Sequence, residues 1–489
     1  MEDQYSTYTA LLYIFNLIVG TGALTLPKAF FDAGWVLGIK MTVVMAMMSY
    51  ITATFVIEAI SRCHSIIQWE RVERMKRLSR EIVTAMESEE DEADDDPDSA
   101  ESSLMLPSEY IENFPSQPQR MYTLDVRVEL SVMASTVFNR FGQILFFVCL
   151  CVYLYGDLTI YSAAVAKTLV DTFCDNPSAD ANVTTTSICW EGYNFTKDTL
   201  YKIYLGCFLL LFGPFVFFNV QKTKIIQMVT SFYRFTTFGV MIGLAIWRLS
   251  SPSFDHGSPV MTEWSATPAL FGSLVYSFMC HHSLPGLIAP IKDKTNLYGS
   301  LAANYVIILL LYLTLGLTAV FAFPYIEDLY TLNFDPDNAM TKPLARIGYV
   351  LALFPVFTLT TSFPIISVTL RGNLQAMFMR FPWRPLHSIC LPILTVVPPV
   401  IIAMFTPKIE ILVSITGSFA GMTIQYIIPA MLVLCARAQT PPNLLNYPNP
   451  YSSPFQSMVW PIVILLWAAI CYTLVLYNLF TKKAIVDLF

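Results

Sequence analysis

Charge is scarce in this chain. Only 13% of its 489 residues are Asp, Glu, Lys or Arg, against roughly one quarter in a soluble domain. Histidine is rarer still, at five. The sequence has no His-Glu-x-x-His, no Gly-x-Ser-x-Gly, no Walker phosphate loop and no dinucleotide fingerprint, so the groups that hydrolysis or redox chemistry needs at fixed spacing are missing. The reading is therefore of a protein that is not an enzyme and has no cofactor. Nothing suggests nucleic-acid binding, and the net charge of -7 reflects acidic residues concentrated in one loop. A cleavable signal peptide is not evident: Met1 to Gln4 is acidic, and no small-residue cleavage site follows the first apolar run.

What is there is apolar length. The chain is 55% hydrophobic with a mean hydropathy of +0.54, which points to an all-α integral membrane protein. Eleven runs of about bilayer length lie near 8–30, 33–60, 141–171, 200–219, 225–248, 268–290, 297–322, 347–370, 387–405, 410–435 and 458–480. With the N-terminus cytosolic, the inside loops hold most of the Lys and Arg that lie between the spans, and the outside segments few. That bias predicts a C-terminus on the lumenal or extracellular side. The loop 172–198, placed outside, carries sequons at Asn182 and Asn194 and the pair Cys174 and Cys189, read as a disulfide. The remaining cysteines fall in helices or on the reducing side.

Organisation follows from these runs: two spans over 1–61, a cytosolic insertion over 62–125, and nine more spans over 126–489. The insertion is basic from Arg62 to Arg80, which suits anionic lipid headgroups, then acidic from Glu87 to Glu101, then rich in Ser and Pro. It reads as disordered, with Ser88 before Glu89-Glu90-Asp91 as a candidate kinase site and with room for a cytosolic partner. Val126 to Arg140 returns to apolar spacing and predicts a short interfacial helix.

The chemistry-bearing stretch is Asn16-Leu17-Ile18-Val19-Gly20-Thr21-Gly22. Paired glycines, with Pro27 beyond, mark a break in a lipid-spanning helix, which is tolerated only facing protein or water. An unwound segment offers carbonyls to a cation and half-helix amides to a carboxylate; the competing reading is close helix packing through Gly20 and Gly22. A second irregular run, Tyr276-Ser277-Phe278-Met279-Cys280-His281-His282-Ser283-Leu284-Pro285-Gly286, interrupts the sixth span. Asp157 sits within the third span. A carboxylate there marks proton or cation handling, or else an acid paired with Tyr155, Tyr161 or Lys167. His281 or His282 is a proton-sensitive gate or hydrogen-bonded packing; with no carboxylate or Cys at ligand spacing, no metal site is assigned beyond a possible sodium ion.

These residues carry a resemblance. Asn16 to Pro27, followed by Lys28-Ala29-Phe30 and Ala33-Gly34-Trp35, and then Ser277 to His281, resemble the first- and sixth-helix motifs of the amino acid and auxin permease family. The resemblance covers nearly the whole chain. It implies a 5+5 inverted-repeat (LeuT-like) fold with broken helices 1 and 6, and secondary active transport of an amino acid by alternating access. It further implies cation binding by Asn16 with hydroxyls of the eighth helix, Thr358 and Thr361. The substrate carboxylate would meet main-chain amides around Gly20, Thr21 and Gly22, and the amino group carbonyls near Tyr276, Ser277 and Phe278. The insertion and Asp157 depart from the family pattern and leave sodium or proton open as the coupling ion, with Asp157 and His281 as proton candidates. Two outputs remain: cation-driven flux, or amino-acid sensing through a partner on the insertion without net flux. The glycosylated loop, the acidic insertion and Asp157 suggest a lysosomal or endosomal membrane, with the plasma membrane as the other possibility.

Overall fold

A computed structural model describes residues 4–90, 121–174, 189–190, 195–217, 224–334, 345–378 and 385–481. The regular elements among its described residues are helices, with an isolated parallel bridge between Tyr5 and Ile291. The helices are α1 (Thr7–Ile18), α2 (Thr21–Ala33), α3 (Trp35–Glu90), α4 (Leu130–Val137), α5 (Arg140–Phe173), α6 (Lys197–Phe212), α7 (Lys224–Ser250), α8 (Thr267–Ser277), α9 (Leu284–Ile288) and α10 (Leu297–Ala322). They continue as α11 (Ala345–Ala352), α12 (Phe354–Met377), α13 (Leu391–Phe405), α14 (Ile409–Thr416), α15 (Ile428–Gln439) and α16 (Val459–Thr481). Among the described residues, nine helical segments are each long and apolar enough to cross a membrane, and α1 with α2 forms a bent pair at 51°. The sixth expected span is α8 and α9, each too short to cross alone.

Both expected breaks are present, and the local sequence explains each. Val19 and Gly20 leave helical geometry, with Gly20 at φ -118°, ψ -140°, and α2 restarts at Thr21. In the sixth span α8 stops at Ser277; Pro285, whose ring suits the first turn of a helix, sits at the start of α9.

The packing repeats after five spans. Helix α2 packs on α8 (spans one and six), α3 on α10 (two and seven), and α5 on α12 (three and eight). Span five packs on span seven through α7 and α10, and span ten packs on span two through α15 and α3. This is the 5+5 inverted-repeat arrangement. The helices α2 and α8 are almost wholly buried. Leu210, Phe232, Phe405 and Leu466 on α6, α7, α13 and α16 stay exposed, as a lipid-facing rim requires.

One region departs from expectation. The second span does not end near residue 60: α3 continues to Glu90, so the basic start of the insertion is helix, not disordered chain. Its apolar residues recur at helical spacing, and Trp69 and Val72 pack with Met121, Tyr122 and Leu444, covering what a free loop would expose. The acidic stretch at 91–120 lies outside the described residues, as do Asn182 and Asn194; Ser88 is among residues whose side chains are not described. The short helix expected over 126–140 is α4. The Cys174–Cys189 disulfide is formed.

At the cytosolic end expected for span two, Glu58 is buried and takes Arg62 at 2.7 Å and Arg437 at 2.9 and 2.7 Å. It also accepts from the Ser453 amide at 3.1 Å. One carboxylate thus ties span two to span ten and to the segment before α16, and its full set of partners is what makes a buried charge tolerable there.

Candidate functional site

The two breaks meet. A Cβ placed on Gly22 would come 2.6 Å from Ser277 Oγ and 2.7 Å from Ser277 Cα, so α2 and α8 approach as closely as backbones allow, and only glycine fits. Between them and α5 lies a small cavity of about 40 Å³, room for roughly three waters. Leu17, Ile18, Gly20, Thr21 and Gly22 line it from the first break, Tyr276, Met279 and His282 from the second, and Tyr153, Asp157 and Tyr161 from α5. Ile366 of α12 completes the wall.

Each polar group has a structural reason for its position. Thr21 and Gly22 open α2, where the first amides have no partner within the helix and the dipole is positive. Tyr153 and Asp157 are four residues apart on α5 and share a face. The Tyr153 and Tyr276 side chains neighbour the Asp157 carboxyl, while Asp157 Oδ1, Thr21 Oγ1 and both His282 ring nitrogens are buried with no protein partner. Leaving such groups unmatched costs about 1–3 kcal/mol each. A ligand that brings its own donors and acceptors removes that cost. Carboxylate on one wall and helix-end amides on the other can hold opposite charges of one small molecule.

The carbonyls freed at the first break are taken up by side chains from elsewhere. Arg234 of α7 donates through Nη1 to Asn16 O and, at 2.8 Å, to Val19 O. Tyr312 Oη of α10 lies 3.1 Å from Ile18 O and 2.8 Å from Ser277 O, so one hydroxyl spans both breaks. In the second break, Ser49 and Thr52 of α3 reach Phe278 O at 3.3 Å and His281 Nε2 at 2.9 Å.

Several expected site residues sit elsewhere. His282, not His281, lines the cavity; His281 is buried behind it against Thr52. Ser277 and Phe278 do not line it either: the Ser277 hydroxyl bonds Ser273 O at 2.7 Å, and the Phe278 ring packs on Tyr305 and Tyr312. Thr358 and Thr361 return their hydroxyls to carbonyls of their own helix. Lys167 pairs with Asp328 at 3.0 Å, and Tyr155 donates to Leu394 O, so neither serves Asp157. Sequence reasoning passed over Arg234 and Tyr153; an arginine inside the fifth apolar run was the available signal.

The family described as "Transmembrane amino acid transporter protein" matches residues 3–85 and 119–475. The chain belongs to the transmembrane amino acid transporter family. The unmatched stretch, 86–118, lies within the insertion expected over 62–125. The human protein named Transmembrane protein 104 is 42% identical over 495 residues, covering 98% of each chain. The Drosophila melanogaster Transmembrane protein 104 homolog is 41% identical over 506 residues, covering 98% of this chain and 97% of its own. The solved structure of MhsT in complex with L-phenylalanine aligns with a TM-score of 0.48 at 14% identity, over 98% of this chain and 100% of that one.

Proposed function

We propose that this family member is a secondary active carrier of a small amino acid, working by alternating access around the cavity between the two broken helices, with Asp157 as the proton-coupling group. The observation that supports it is the pairing of opposite polarities across one cavity: the amide-bearing start of α2 at Thr21 and Gly22 faces the Asp157 carboxyl. A zwitterion presents the complementary charges. Its carboxylate takes the helix N-terminus, and its ammonium takes the Asp157 side of the cavity and the carbonyl end of α8 at Tyr276.

The volume is too small for an amino acid in this conformation, so binding requires the breaks to part. Hinges at Val19–Gly20 and at 278–283 are where such motion costs least, because those residues carry no continuous helix hydrogen bonds. Asp157 would then exchange its proton with whichever side the cavity faces. The basic-residue bias supports an N-terminus in the cytosol, and an acidic lumen would supply the proton; surface biotinylation recovering most of the protein at the plasma membrane would sink that location.

Uptake of a labelled amino-acid mixture into proteoliposomes tests the reading, with an imposed proton gradient, a sodium gradient or neither. Flux that follows the proton gradient and falls to the no-gradient rate in Asp157→Asn supports it. Flux driven by sodium and unchanged in Asp157→Asn contradicts the assignment. No flux under any gradient, from folded protein that amino acids still stabilise, would instead favour sensing through the insertion.

A further inference from the structure

We infer that the Arg234 guanidinium is a tethered cation that fills the carbonyl site at the first helix break, so that this chain neither binds nor needs sodium there. The functional meaning rests on the carrier reading above, whereas sodium binding by the purified protein does not depend on flux. Asn16 O and Val19 O are three residues apart at the C-terminal end of α1, where the last carbonyls have no partner within the helix. A half-helix end of this kind, with the negative pole of its dipole, is what broken-helix carriers offer to a small cation. Here both oxygens accept from the same nitrogen, Arg234 Nη1.

Arg234 is held for this purpose and no other evident one. It is 6% exposed, and among the described residues no carboxylate forms an ion pair with it. Burying a guanidinium costs several kcal/mol unless something offsets it; the two carbonyls and the helix end supply that offset. The side chain does not line the cavity, which removes a direct role in holding substrate. Tyr161, which does line it, neighbours both Asp157 and Arg234, placing the fixed positive charge one side chain away from the titrating acid. Arginine stays protonated in proteins, so a sodium ion would meet both a filled oxygen pair and a like charge.

The expected consequence is reciprocal: removing the guanidinium frees the carbonyls for a small monovalent ion. Purified detergent-solubilised protein is melted in sodium chloride and in choline chloride at equal ionic strength, and binding of radioactive sodium is measured in parallel. Wild type and Arg234→Lys, whose ammonium can reach the same oxygens, are expected to melt alike in both salts and to bind no sodium saturably. Arg234→Ser is expected to melt lower in choline, to recover by several degrees in sodium, and to bind sodium saturably. Saturable sodium binding by wild type, with a matching rise in melting temperature, would overturn the inference while leaving the carrier reading in place. A folded Arg234→Ser that ignores sodium would also overturn it, since the carbonyls would then not be a cation site. If Arg234→Ser does not fold, Arg234→Gln, neutral and of similar length, carries the same comparison, and the wild-type arm decides alone if neither folds.

Discussion

The two helix breaks are made of similar letters and held in different ways. The first is short, Val19 and Gly20, and its freed carbonyls are met by a charged side chain, Arg234, from another span. The second runs over six residues from Phe278 to Ser283, and neutral hydroxyls from α3 and α10 fill it. Gly20 of the first break faces the cavity together with its flanking residues Leu17, Ile18, Thr21 and Gly22; of the second break, only Met279 and His282 do. On the carrier reading proposed above the first is the binding face, its geometry set by electrostatics, and the second is closer to core, its geometry set by packing. Tyr312 joins them through a single hydroxyl.

The largest way to break this pairing is steric. Gly22→Ala places a Cβ 2.6 Å from Ser277 Oγ and is expected to abolish uptake and to destabilise by about 1–3 kcal/mol or more, as overpacking does. Gly20→Ala is the control, because its nearest neighbour outside the adjoining residues is Arg234 Nη1 at 3.9 Å. It is expected to melt close to wild type while weakening substrate affinity, since the methyl enters the cavity wall. A similar loss of uptake and stability in both variants would mean that close approach at Gly22 is not the controlling contact.

Next in size is Asp157→Asn, which keeps the shape and both tyrosine neighbours but removes the titrating charge. Proton-driven uptake is expected to vanish and stabilisation by amino acids to weaken, since the ammonium loses its charged wall; uptake that still follows the proton gradient would remove Asp157 from the coupling. Tyr312→Phe should cost about 1–3 kcal/mol, the penalty for a buried carbonyl, Ser277 O, left without its donor, while Ile18 O keeps the Gly20 amide. Because that donor serves both breaks, the thermal loss should come with altered uptake; thermal loss alone would reduce Tyr312 to packing.

Much of this was legible in the sequence, and the residues show why. Gly20, Gly22 and the Pro285-Gly286 pair announced both breaks, because few residues tolerate an interrupted helix in lipid. Asp157 announced itself by its cost in a span. Two things were hidden. Which of two adjacent histidines faces the cavity depends on irregular backbone between Phe278 and Ser283, where helical periodicity no longer applies. The partner of the first break's carbonyls lies on a span 215 residues or more away in sequence, and spacing says nothing across such a distance. The length of α3 was underestimated for a third reason: charge marked Arg62 to Arg80 as aqueous, but aqueous does not mean unfolded when Trp69 and Val72 recur at helical spacing and find Tyr122.

The smallest expected effect lies at the far end of the second break. Lys294 Nζ donates to Asp125 at 2.7 Å and to Ala289 O and Ile291 O, fixing the link between α9 and α10. The hydrogen bond from Lys294 holds the Asp125 carboxyl below the ordinary aspartate range. A depressed carboxylate contributes stability above its unfolded value, near 3.9, and loses it as pH falls through the lower folded value. Asp125 is 77% exposed at its side chain, so solvent screens most of the effect. Asp125→Asn should thus lower the melting temperature slightly at pH 7, and the gap should close below about pH 4; a gap that persists in acid would point to lost packing instead.

The central claim is that the space between the breaks is the amino-acid site. Its most direct test places a single reactive thiol there, as Ile366→Cys on a background lacking the other accessible cysteines, and measures labelling by a small thiol reagent with each amino acid present in turn. The account expects at least one amino acid to slow labelling saturably and to raise the melting temperature over the same concentration range. If none of them protects the thiol, while one still stabilises the protein, amino acids bind elsewhere and the claim is contradicted.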